Sequence, residues 1–129
     1  MHLHDSDVRP VRQSFSDTLN LVMQQVEYHS FADLRFRCID PLFKELCFII
    51  SEVFLLNPES VIKVNGASLP LSLVQEVFSQ LRNEHVRLVF SNFKEVSNQV
   101  YNKKAYLRTA LYNSVFEIEA HFANASESF

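Results

Sequence analysis

The chain has 129 residues, 47% of them hydrophobic, with a formal net charge of −3. That length suits one domain with a core of its own, and the charge gives no overall attraction to nucleic acid or anionic membrane, so DNA binding would need a local basic patch. One Gly and four Pro are too few for a fold built on tight turns, such as an all-β sandwich.

The longest apolar run, CFIISEVFLL, is broken by Ser51 and Glu52 and is too short to span a bilayer. The first residues are polar and charged, unlike a secretory signal, so a cytoplasmic protein is expected. Cys38 and Cys47 read as two small buried thiols in a reducing compartment.

Residues 1–15 have no clear period and read as a mobile arm or linker remnant; the His2, His4 and Asp5 group within them lacks the ligand number of an ordered metal site. Residues 16–123 read as a single helical domain and 124–129 as a frayed tail. A first helix is predicted from a Ser16 cap, with Leu19, Val22, Met23 and Val26 on one face. Ser30 is placed as the cap of a short helix over SFADLRFR.

The strongest start signal is Asp40 followed by Pro41, a capping residue with proline at the first helical position. The helix it opens is apolar over most of its surface, from Leu42 to Leu56, with Lys44, Glu45, Ser51 and Glu52 in a narrow polar strip. Such a helix must be central. Asn57-Pro58 stops it. VIKV and the turn signal Asn65-Gly66 then predict one short β excursion near 61–69, with Lys63 exposed.

Pro70 restarts helix, with Val74, Val77, Phe78 and Leu81 as its buried stripe. Asn83 is predicted to cap the next helix, whose inner face is Val86, Val89, Phe90, Phe93 and Val96. Asn102 caps a helix with Leu107, Ala110 and Leu111 inward and Tyr106 at the edge. A last segment, SVFEIEAHF, places Val115, Ile118 and Phe122 on a core face. The expected fold is mainly α: a compact bundle of five to seven helices with one short β excursion.

No catalytic constellation is legible. Gly66, the only glycine, lies in no phosphate-binding fingerprint, and His29, His85 and His121 are isolated, His85 suiting a solvated or capping role. Neither a cofactor nor a metal is expected. The contact candidates are Lys103, Lys104, Arg108 and Tyr112: Arg108 and Tyr112 are i and i+4 on the outer face of their helix, with Ala105 and Thr109. An exposed Tyr beside Arg and Lys suits either a protein hot spot or phosphate contact with base stacking. Arg82 and Arg87 would extend the basic surface.

The order Ile62, Val64, Gly66, Pro70, His85-Val86, Asn102, Tyr106-Leu107, Ala110-Leu111-Tyr112-Asn113 resembles the C-terminal domain, of unknown function, of RepA-type replication initiators from plasmids and integrative elements of Firmicutes. The closing helix is also similar to the C-terminal domain of DnaD-like primosomal proteins, with Tyr106, Ala110 and Leu111 on its motif positions. Ala110 stands where that family has Ile and no Trp follows, which weighs against DNA binding of the DnaD kind. The winged-helix domain of such initiators has no counterpart in these residues, so origin recognition is not expected of them. The resemblance implies a DnaD-like helical fold. It also implies a non-enzymatic module that recruits a host replication protein, either primase or the helicase-loading machinery. Weak sequence-independent DNA binding and a purely structural or oligomerising role are the alternatives.

Overall fold

The computed structural model describes residues 11–127, with side chains described from 15 to 119. In chain order it holds α1 (Val11–Gln25), a 3-10 turn (Tyr28–Phe31), α2 (Pro41–Leu55), β1 (Val61–Val64) and β2 (Ala67–Pro70). It continues with α3 (Leu71–Phe78), α4 (Asn83–Val96), a second 3-10 turn (Ser97–Gln99) and α5 (Lys103–Glu127). The fold is the expected mainly helical one with a single β excursion. Residues 1–10 and 128–129, and with them the His2, His4 and Asp5 group, lie outside the described residues.

The centre is α2, which touches α1, α3, α4 and α5. Its start is as predicted: Asp40 Oδ1 accepts from Leu42 N at 2.9 Å, with Pro41 at the first position. Leu42, Phe43, Leu46, Cys47, Ile49, Ile50 and Val53 are all buried, the all-round pattern a central helix requires. Ser51 departs from the expected polar strip. It is fully buried, and its hydroxyl donates to Cys47 O at 2.8 Å, so the backbone satisfies it without solvent.

The hairpin turns where expected. Val64 pairs with Ala67, so Asn65 and Gly66 form a two-residue loop, both with positive φ (56° and 77°), the geometry a type I′ turn needs. The stripes Val74, Val77, Phe78, Leu81 and Val86, Val89, Phe93 are buried, with Phe90 half-buried. On α5, Leu107 and Leu111 are fully buried and Ala110 and Tyr106 half-buried, as predicted.

Five expectations are corrected. α1 begins at Val11, not at a Ser16 cap; the extra turn carries Phe15, whose ring meets Phe48 edge-on at 5.5 Å. SFADLRFR is not a helix opened by Ser30: Ser30 and Phe31 end the 3-10 turn, and the rest is not helical. Asp33 Oδ1 accepts from Arg35 N (2.7 Å) and Phe36 N (3.4 Å), and Arg37 has φ of 54°, so the chain turns back on itself. Asn83 is the first residue of α4 rather than its cap. The last segment is not separate: no Gly or Pro interrupts α5, which runs unbroken to Glu127 and buries Val115 on the way. Finally, Cys47 is buried but Cys38 is exposed.

Helix ends are sealed by side chains from other elements. Gln75 Nε2, on α3, donates to Val53 O (2.9 Å) and Leu56 O (3.0 Å) at the end of α2. Gln25 Nε2, on α1, donates to Phe78 O (3.1 Å) and Leu81 O (2.9 Å) at the end of α3. Each pair of bonds satisfies carbonyls that a helix terminus leaves without an intrahelical partner.

Candidate interaction site on the closing helix

Asn102 caps α5 as predicted: its Oδ1 accepts from Ala105 N at 3.1 Å. The cap fixes where the two lysines emerge. Lys103 Nζ pairs with Glu45 at 2.8 Å and also lies 5.6 Å from the centroid of Phe93, over its ring. Lys104 Nζ pairs with Glu52 at 3.0 Å. Glu45 and Glu52, expected as a solvated strip, are two turns apart on α2 and serve as counter-ions to these lysines.

One turn further on, Arg108 lines a cleft of about 300 Å³ together with Lys104, Glu52, Phe15, Ile49 and Ile62. Its Nε is buried and has no hydrogen-bond partner among the described residues. Tyr112 does not line this cleft. It is half-buried, packs against the core and sets its ring 5.3 Å from that of Phe116. The structure therefore brings Lys104 and Arg108 together, and places Lys103 and Tyr112 apart from them.

The rest of the expected outer face is covered. Ala105 and Thr109 are half-buried. The hairpin turn lies on this side of the helix, with Asn65 N donating to Thr109 Oγ1 at 3.4 Å. Asn65 and Asn113 exchange two side-chain hydrogen bonds, of 2.9 and 3.1 Å. The strip thus combines two exposed, paired lysines with half-buried contacts at Ala105, Thr109 and Tyr112, and the Nε of Arg108 lacks a partner among the described residues. Nothing in the spacing of residues 103–112 signals the hairpin docking, because Asn65 lies 44 residues before Thr109.

The other basic candidates are occupied locally. Arg82 Nη1 donates to Ser79 O (2.9 Å) and Leu81 O (2.8 Å). Arg87 Nε donates to Asn83 Oδ1 (2.7 Å) and its Nη2 to Ser30 O (2.9 Å). Lys63 is exposed, as expected.

His85 takes the capping role rather than a solvated one. It is 7% exposed, and its Nδ1 accepts from Arg82 N at 2.8 Å. Burial pushes its pKa below the ordinary 6.5, with Glu84 at 3.9 Å pulling the other way. A neutral imidazole is the form that can accept this bond. Asp40 titrates below the usual carboxylate range because Leu42 N–H and then Lys94 stabilise its charge. Burial pushes the Cys47 thiol up to about 12, so it stays protonated and inert. Among the described residues no group of three or more His, Cys, Asp or Glu could hold a metal, and no helix is long and apolar enough to cross a membrane.

Residues 11–127 match a family of unknown function (DUF6017), and the chain belongs to that family. No curated protein matches the chain. No solved structure matches it either.

Proposed function

We propose that this chain is a non-enzymatic, cytoplasmic interaction module of a mobile-element replication initiator, recruiting a host replication protein: primase or a component of the helicase-loading machinery. The observation that carries the proposal is Arg108. It stands on the helix with the initiator-like pattern from Asn102 to Asn113, at the wall of an apolar cleft, with a buried Nε that no group among the described residues satisfies. A partner carboxylate flanked by an apolar side chain would fill the cleft and satisfy the guanidinium. Lys104 is also within reach of such a partner. Its exposed pair with Glu52 is worth about 0–1 kcal/mol, so exchanging Glu52 for a partner's acid costs little.

The test is surface plasmon resonance of immobilised chain against purified host primase and helicase loader, with wild type, Arg108→Met and Lys104→Glu. One partner is expected to bind, about tenfold more weakly to Arg108→Met, a loss of about 1.4 kcal/mol. Stability should hold in that variant, because it removes an unsatisfied buried N–H. Binding of neither partner, or binding indifferent to both substitutions, overturns the proposal. In a parallel arm, oligonucleotide binding that collapses between low and moderate salt would favour the DNA-binding reading instead.

A further inference from the structure

A second surface lies between α1 and α2. Asp33 and Cys38 form an isolated antiparallel bridge, with Asp33 N donating to Cys38 O at 2.8 Å and Arg37 N to Asp33 O at 2.7 Å. With the Asp33 carboxylate also holding Arg35 N and Phe36 N, the tip is hydrogen-bonded at its base. It presents Leu34 at 93% and Phe36 at 70% exposure. Single exposed apolar residues are ordinary. Two on one braced turn, alternating with Arg35 and Arg37, form an amphipathic protrusion.

Beside the tip runs a groove of about 700 Å³, walled by the rings of Phe31, Phe36, Phe43 and Phe90, with Arg87 and the acids Asp33 and Asp40 also in its lining. Phe43 is stacked between Phe31 and Phe90, each centroid 4.1 Å away and within 7° of parallel. Cations cover the outer faces of the stack, Arg87 over Phe31 at 4.9 Å and Lys94 over Phe90 at 5.2 Å. The stacked ring faces are therefore taken, and what the three rings offer the groove is their edges, the positive part of the quadrupole.

The charges point the same way. Among the described residues Arg35 and Arg37 form no ion pair, and the hydrogen bonds of Arg87 go to neutral oxygens. The nearby acids are committed, Asp33 to backbone N–H groups and Asp40 to Leu42 N and Lys94. Arg35 and Arg37 on the tip and Arg87 in the groove wall are thus left without a carboxylate partner, although Asp33 and Asp40 also line the groove.

We propose that the 33–38 tip and its groove bind an acidic peptide segment of a partner protein. The segment's carboxylates meet Arg35, Arg37 and Arg87, and one of its apolar side chains packs against Phe36 and the ring edges. A nucleic acid is the weaker match, because stacking a base needs an open ring face and the three stacked rings of the groove have theirs covered; Phe36, with the Arg35 guanidinium 5.6 Å from its centroid, offers one face at most. A membrane would use Leu34 and Phe36 but leave the groove empty. This surface does not depend on the α5 cleft.

The test is fluorescence anisotropy with a labelled peptide of sequence Glu-Asp-Glu-Leu-Asp-Asp-Phe, against wild type, Arg35→Glu/Arg37→Glu, Phe36→Ser and Arg108→Met. Parallel titrations use oligothymidine and phosphatidylglycerol vesicles. The expected result is saturable peptide binding, weakened about tenfold or more by either tip variant and left intact by Arg108→Met. All three substituted tip residues are exposed, so the unfolding midpoint should not move. No saturable peptide binding, or binding the tip variants leave unchanged, overturns the proposal. So does tip-dependent binding of oligothymidine or vesicles in place of the peptide.

Discussion

Asn65 and Asn113 hold each other by two side-chain hydrogen bonds, 2.9 and 3.1 Å, across 48 residues of sequence. One amide is at the hairpin turn and the other on α5, so the pair ties the β excursion to the closing helix. Asn65 has a second task, since its φ of 56° is one that few side chains adopt readily. The two roles separate by mutation. Asn113→Ala should destabilise by about 1 kcal/mol, the loss of two solvent-exposed bonds. Asn65→Gly should cost a similar amount, because glycine keeps the turn. Asn65→Ala should cost about 1 kcal/mol more, because it loses the pair and strains the left-handed position as well. Urea midpoints of the three variants check this order.

His85 makes stability depend on pH. Its folded pKa lies below 6.5 because the ring is buried. The unfolded chain therefore takes up a proton before the folded one does. The contribution is complete above about pH 6.5 and is lost as pH falls from there through the folded value. Wild type should lose stability between pH 7.5 and 5.5, and His85→Gln, which cannot titrate, should lose less over the same interval. Separately, His85→Ala at pH 7.5 should cost about 1 kcal/mol through loss of the bond from Arg82 N.

The two thiols should behave oppositely. Cys38 is exposed, whereas Cys47 is fully buried with its pKa pushed up to about 12. A thiol reagent added to the native protein at pH 8 should label one cysteine rapidly and the other only in denaturant. Cys38→Ser should abolish the native signal, and rapid double labelling would contradict the packing around α2.

Most of the fold was legible because it is periodic or punctuated. Asp40-Pro41, Asn65-Gly66 and Asn102 mark an α2 start, a turn and a helix cap that depend on adjacent residues only. The stripes of α3 and α4 follow from helical spacing. What escaped depends on distant partners. Ser51 reads as polar surface until neighbours on all sides bury it. Glu45 and Glu52 read as solvated until α5 brings lysines to them. In the candidate site, spacing correctly placed the core face at Leu107 and Leu111. It left the opposite face open because the hairpin that docks there comes from far upstream. The 33–38 tip was missed because its alternating Leu34-Arg35-Phe36-Arg37 was read into a helix, although Asp33 at its head is a turn former.

The two glutamine seals connect the helices in series. The end of α2 is held by a side chain from α3, and the end of α3 by a side chain from α1. Detaching α1 would leave α3 fraying at its last turn, and a frayed α3 would release Gln75 from the helix at the centre of the core. Local opening at the amino-terminal side thus has no natural stopping point, and the domain should exchange its amide protons and unfold as one cooperative unit rather than piece by piece. A partner that grips α1 would thereby steady the whole bundle without touching most of it.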